Sequence, residues 1–557
     1  MATYLNETAQ AVRDRMGGIW DVCDQHREDR ADARRAPSLI RIWDGDWNYI
    51  GTVHDALEYA FTWRLNDTGP GHLEMPTSSW LAKWVMDHRG RETKNVHITM
   101  DRQESRWSGR LDRMVISKQE DGQRSLNLEF LHDYEELKHI YVWPNPYLPA
   151  AVQFPRAFIL VGPTAWALKT ALFMNVHRLE GNLWALPDDP FDLAEWDDFL
   201  RPNQWAVQVA PSKAILSDTS PWTVLSSRMK NWHDLAAPKL ADAHLMVTTR
   251  RWLTGDPDPW PDANLRNGAL IVDIVDKSGF WSTQGTATFG DIWKGLVRTV
   301  QEVVGHVDTE STILPDPIDP PEYKVPGVFR TTPDAPYVVY RDGPLTGVTA
   351  SDFTWEPAKD VQVVTGGHSM PGVNEAISAT IKLVGNYVGA VIGLFSAGSI
   401  ADTVLAPIYS DTILAWQSIK SLDRSRSLGW SHYYEHFADG ADNAYTLNSV
   451  IALRQGFWET RERTSHQVKV EDGAPWFVGE GDSGHFFLGD RIGSTIEGLP
   501  DGLIVVEQVT ELTYKETRGE LGWEITCGDR SSQQSPLESV LGKVRNALGA
   551  LHDLGVL

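Results

Sequence analysis

The chain has 557 residues, 42% of them hydrophobic and 23% charged, with a formal net charge of −24. That length exceeds one ordinary core and predicts roughly three or four domains. The acidic balance excludes a general binder of nucleic acid or anionic membrane, because no basic face outweighs it. No nucleic-acid specificity is expected.

Two cysteines, Cys23 and Cys527, make no disulfide framework, and neither belongs to a CxxC. They point to a reducing compartment. The opening MATYLNETAQAVRDRMGG lacks the apolar core of a signal peptide. The 24 Trp residues read as core and interface anchors. A carbohydrate-binding surface is the sharper alternative.

Residues 1–36 read as a helical segment: Asn6 can cap it, and Ala9, Val12, Met16, Ile19 and Cys23 recur at helical spacing. From 37 to 142 the period changes to two. SLIRIWDGDWNYIGTV is a strand, a tight turn at Asp44-Gly45-Asp46 and a return strand. Leu57, Tyr59, Phe61 and Trp63 then share one face. WLAKWVM is a short helix, and KNVHITM, WSGRLDRMVISKQ and RSLNLEFLHDY are further strands. Such a meander is expected to close into a small barrel or sandwich.

Residues 143–260 are mixed and α-rich. PTAWALKTALFMNVHRLEG is an amphipathic helix, and PWTVLSSRMKNWHDLAAPKLADAHL is read as another helical region. Residues 261–365 are mixed α/β, with a helix at FGDIWKGLVRTVQEVVG and a Pro-rich arm at ILPDPIDPPEYKVPG.

Residues 366–425 form an apolar insertion, read as a helical hairpin. Its first limb, LVGNYVGAVIGLFSAGSIA from Leu383 to Ala401, carries no charge. As a helix it would be roughly 28 Å long, near the thickness of a bilayer core. Gly385, Gly389, Gly393 and Ala397 fall four apart, the small-xxx-small spacing of close helix packing. Val388, Val391, Ile392, Leu394 and Phe395 cover the rest of the surface and are expected to face lipid. A buried core hairpin is the plain alternative. From 426 to 535 the chain returns to β, with AYTLNSVIALRQGFWET included among the strands, and 536–557 reads as a short amphipathic helix. No internal repeat is legible.

No catalytic constellation emerges, and no cofactor or metal is expected. GDSGH at 481–485 has the look of a serine-nucleophile stretch but lacks the second Gly and a His base upstream; a loop between strands accounts for it. HYYEH fits H-x-x-E-H: on a helix His432 and His436 would share a face, with Glu435 as base. A surface segment is the plainer reading, since no third ligand can be assigned.

The stretch IRIWDGDWNYIGTVHDALEYAFTWRLNDTGPGHLEMP resembles the opening of minor tail proteins of long-tailed (siphovirus) phages, especially those of actinobacteria. The matching residues are Asp44, Asp46, Gly51, Trp63, Arg64, Asn66, Asp67, Gly69 and Pro76. Thr68 stands where the family often has Pro. FFLGDRIGSTIEGLPDGLIVVEQVTELTYKETRGELGWEITCGDR is similar to the family's C-terminal barrel, with Gly489 and Asp490 opening a strand.

The resemblance implies an α+β, β-rich protein with two small barrel-like hub domains of one fold, at 37–142 and 426–535. It implies a homotrimeric baseplate hub at the virion tail tip, assembled in the bacterial cytoplasm, without enzymatic activity. Implied partners are distal tail and tail-tube proteins, the C-terminus of the tape-measure protein and other tail-tip proteins. The apolar insertion adds an expected contact of 376–419 with the host membrane. A tail-associated cell-wall or glycan hydrolase, or a receptor-binding module, is the alternative.

Overall fold

The computed structural model describes residues 36–277, 338–366, 416–438 and 447–528 apart from scattered short gaps, together with 312–315 and parts of a helix within 17–32. The apolar stretch Leu383–Ala401, the expected helix near 290–305, most of the Pro-rich arm and the segment 536–557 lie outside the described residues.

Seven strands make the first half: β1 (Leu39–Trp43), β2 (Tyr49–Thr52), β3 (Glu58–Arg64), β4 (Pro70–Pro76), β5 (His97–Arg102), β6 (Ser105–Lys118) and β7 (Arg124–His132). Alternating apolar residues drive them inward, and Phe61, Leu73, Met75, Ile98, Trp107, Leu126 and Leu128 are fully buried. Helix α1 (Trp80–Met86) lays Leu81, Ala82 and Val85 against this core. Trp107 fills its centre, its indole N–H donating to the Thr62 carbonyl at 2.8 Å. Gly71 and Gly109 lie against its ring, where a Cβ would come within 2.5 and 2.7 Å.

The middle unit contains β8 (Tyr141–Val142), β9 (Phe158–Pro163), α2 (Thr164–Glu180), β10 (Val207–Val209), β11 (Trp222–Ser227), β12 (Lys230–Asn231), α3 (Trp232–Asp242), β13 (Leu245–Arg251) and β14 (Leu270–Asp276). The two helices share a core with Trp205, Leu225, Leu245 and Val272. Part of the region read as helical, Trp222–Ser227, is instead a strand paired with β9. Its alternation of half-buried and buried residues has a period of two.

The second half comprises β15 (Thr312–Pro315), β16 (Val339–Tyr340), β17 (Val348–Glu356), β21 (Arg463–Glu471), β22 (Arg491–Ser494), β23 (Leu503–Glu516) and β24 (Leu521–Gly528). Between β17 and β21 sits a small unit of β18 (Asp360–Gly366), β19 (Trp416–Lys420), α4 (Leu422–Ser427), β20 (Tyr433–Phe437) and α5 (Leu447–Glu459). Helix α5 corrects the reading of AYTLNSVIALRQGFWET as a strand. Leu453 and Phe457, one helical turn apart, are buried against Val363. The strand Thr312–Pro315 pairs with β23, so the start of the Pro-rich arm is an added sheet strand.

The β-rich expectation holds, but the two halves are not separate. They join in one 14-stranded sheet through β3 and β23, which pair antiparallel over six residues. Among the described residues no ladder closes either half into a barrel.

The halves repeat one another. The first runs β3-β4-β7-β6-β5-β1, and the second runs β17-β21-β24-β23-β22-β16 with the strands in the same chain order. Within these six strands the last pairing differs, antiparallel for β1–β5 and parallel for β16–β22, and β2 on β1 and β15 on β23 have no counterparts among the described residues. In both halves a 14-residue strand bends at an irregularity against its hairpin partner, between Leu111 and Arg113 and between Val509 and Glu511.

Aligning Leu111 with Val509 carries the register through the ladders. Phe130 then falls on Cys527, Gly71 on His466 and Phe61 on Phe353. The triplet Phe61-Thr62-Trp63 thereby coincides with Phe353-Thr354-Trp355. The repeat is not legible in the sequence alone; the ladder alignment leaves these three residues in common.

Candidate functional site

The seam between the halves is built from side chains that only this register brings together. Arg64 Nε donates to Glu511 at 2.6 Å, the Thr62 and Thr513 hydroxyls are hydrogen-bonded at 2.9 Å, and Tyr59 donates to the Glu516 carboxylate. Beneath them Trp63 packs on Trp523 and Phe487 with ring centroids 5.6 and 5.7 Å apart. One hydrophobic core therefore runs across both halves.

Three of the family-motif residues, Asn66, Gly489 and Asp490, converge on a second seam, where both halves grip the β13–β14 hairpin. Asn66, at φ 53°, donates to the Leu245 carbonyl and accepts from the Val247 amide, both at 2.8 Å. Its side chain stands in for one residue of a neighbouring strand; Asn tolerates the left-handed conformation this needs. From the second half, Asp490 accepts from Lys277 at 2.8 Å and from the Phe487 amide at 2.8 Å. Gly489, at φ 82°, lets the chain pass close to Met246 and Lys277.

The other motif residues shape turns. Asp44 accepts from the backbone amides of Asp46 and Asn48, each at 2.9 Å, and so fixes the β1–β2 turn; the Asp46 side chain is exposed. Asp67 accepts from Lys138 at 3.0 Å. Gly51 is crossed by the Trp80 ring, and at Gly69 a Cβ would lie 1.8 Å from the Thr62 carbonyl oxygen.

Sequence reasoning missed the charged core that fastens the middle unit to the first half. Arg251 makes a two-pronged contact with Asp133, both bonds 3.0 Å, and donates to the Gly268 carbonyl. Burial alone would push the Asp133 carboxyl up, but Arg251 and the Ser108 hydroxyl hold it below the usual range. Arg106 reaches Asp101 and Asp256 nearby. A cavity of about 290 Å³ lies at this junction, lined by Trp63, Arg106, His132, Met246, Arg250 and Phe487.

The zinc pattern is not formed. Tyr433–Phe437 is a strand, so His432 and His436 stand roughly 13 Å apart along it. His436 contacts Glu459 at 3.2 Å, and Glu435 accepts from Gln362. Of GDSGH, residues 481–483 lie outside the described residues; His485 accepts from the Phe477 amide at 2.9 Å and stacks on its ring. Glu58, His72 and Glu74 cluster on the β3–β4 hairpin. By the register above, their counterparts in the second half are Ala350, Gln467 and Lys469, so the cluster is not repeated.

Residues 39–529 match the family described as Siphovirus ReqiPepy6 Gp37-like protein. The chain belongs to that family. Two curated relatives, each a minor tail protein Gp28, come from Mycobacterium phages L5 and D29. Each is 35% identical over 97% of this chain and 98% of its own length. Like them, this family member is a minor tail protein of a siphovirus, and its place is the virion tail. A tail protein from Neisseria meningitidis MC58 overlaps 89% of this chain and 97% of its own at 9% identity and a TM-score of 0.40, a likeness too slight to carry an argument.

Proposed function

We propose that the chain is the baseplate hub of its tail: a homotrimer that joins the tail tube to the tip and takes part in genome delivery. The observation that supports this is the duplication. Two halves with one strand order in each chain give six equivalent units from three copies, the count a hexameric tube presents. In this reading the two halves are the barrel-like hub domains, the second extending beyond the expected 426–535 to take in β15, β16 and β17. The distal tail and tail-tube proteins seat on them, and the tape-measure C-terminus and other tip proteins meet the same ring. Mass photometry of the purified chain should show a species at three times the 62.4 kDa chain mass. A stable dimer or hexamer at every concentration overturns it.

The apolar stretch extends the proposal to the envelope. Its small stripe, Gly385 to Ala397, packs helices of three copies near the tail axis, and its apolar surface meets the host membrane. Among the described residues no helix is long and apolar enough to cross a membrane, and this stretch is not among them. A peptide spanning 376–419 should release dye from liposomes, and its Gly389→Leu, Gly393→Leu form should not. Equal leakage from both, or none from either, removes the membrane role.

A further inference from the structure

The junction between the halves uses one edge of β23 and one edge of β3. By the repeat, the counterpart of β23 is β6, and the counterpart of β3 is β17. Among the described residues, β6 past its irregularity pairs only with β7, and β17 pairs only with β21. Each chain therefore carries the two components of a second copy of its own junction, neither of them joined to a further strand among the described residues. They lie in different halves.

We infer that β6 of one copy pairs antiparallel with β17 of the next, in the register of the β3–β23 seam. This rests on the hub reading and supplies its contact. The register places Arg113 opposite Glu356, Met114 opposite Trp355 and Ile116 opposite Phe353. The ion pair is the seam's own with its ends exchanged: Arg64 lies on β3 and Glu511 on β23, whereas Glu356 lies on β17 and Arg113 on β6. Arg113 already donates from Nε and Nη2 to Glu129, which leaves further N–H groups for a second carboxylate.

Burial agrees. Ile116 is 52% exposed, while its counterpart Tyr514, covered by β3, is 1% exposed. Trp355 is 55% exposed, against 4% for Trp63. An edge of β6 carrying exposed Val115 and Ile116, and an edge of β17 carrying exposed Trp355, are liabilities unless another strand covers each. Because both junctions are head-to-tail and of one kind, each added copy turns the assembly by the same two steps, and the ring closes without a dyad.

The test is a disulfide across the new seam. Val115→Cys and Thr354→Cys, directly opposite in this register, are placed in a chain with Cys23→Ser; Cys527 is buried and remains inert. Mild oxidation of the purified chain and of assembled particles should give a reducible ladder that ends at three copies. Lys118→Cys with Thr354→Cys, out of register, should crosslink at least tenfold less. A three-copy mass without crosslinks leaves the hub standing and overturns this pairing; single copies without crosslinks overturn both. Ile116→Lys, exposed in the single chain, should leave its unfolding curve unchanged and abolish the three-copy species. Association that survives this change also overturns the pairing.

Discussion

Arg251→Ala should lower the unfolding free energy by about 3–5 kcal/mol, the cost of leaving a buried carboxylate without its partner. Side-chain exposure is 5% for Arg251 and 1% for Asp133, so water cannot replace the lost donors. The Ser108 hydroxyl, 2.5 Å from Asp133, would remain as the neutral donor. The Arg251 guanidinium also covers the Trp47 ring at 4.9 Å, so the substitution opens space beside the β1–β2 turn. Urea titration followed by Trp fluorescence measures the effect. Replacing both partners, Arg251→Met with Asp133→Leu, should recover most of the loss, because no isolated charge is then buried. A single variant within about 0.5 kcal/mol of the parent would show that the pair does not fasten the middle unit.

Acidification from pH 7 to pH 5 should cost the fold about 6 kcal/mol, roughly 2 from each of three buried histidines. Burial lowers His97 to about 3, with Arg251 adding to the effect, and lowers His132 and His466 to about 4. The unfolded chain binds these protons near pH 6.5 and the folded chain does not. The stability they hold in place is therefore full above pH 6.5. It falls as pH drops toward 4, where the folded groups begin to titrate. The packing explains the resistance: His97 stacks on Trp47 at 4.5 Å, His132 Nδ1 accepts from the Tyr134 amide, and His466 lies between the hydroxyls of Ser351 and Ser494. The urea midpoint at pH 7 and pH 5 reads the effect directly. Equal midpoints would mean that these rings are hydrated or already charged in the fold.

Much of this architecture is visible in the residues, and the losses have physical causes. The strand pair around Asp44 and the alternation through Trp63 are read correctly because each is a local pattern with a turn that enforces it. Helix α5 is not legible locally because Val450 and Ile451 favour strands, whereas burial of Leu453 and Phe457 against β18 decides the matter. The internal repeat is invisible in one dimension. Hairpin β3–β4 closes through a five-residue turn, while its counterpart β17–β21 holds a whole inserted unit. Phe-Thr-Trp is what survives of the common sequence, and three residues carry no statistical weight without the ladder that aligns them. Motif residues Asn66 and Asp490 were identified, but not that they grip one hairpin, since those contacts span more than 170 positions. Arg251 and Asp133 sit in segments with no motif at all.

The central claim is that three copies, each with two equivalent halves, close into one ring in the tail. Reconstruction of the tail tip by electron cryo-microscopy tests it most directly. The map should show six sheet units at one height around the axis, contributed by three chains, with intrachain β3–β23 seams alternating with β6–β17 seams between neighbours. A single copy on the axis, six copies in the ring, or the two halves at different heights would contradict it.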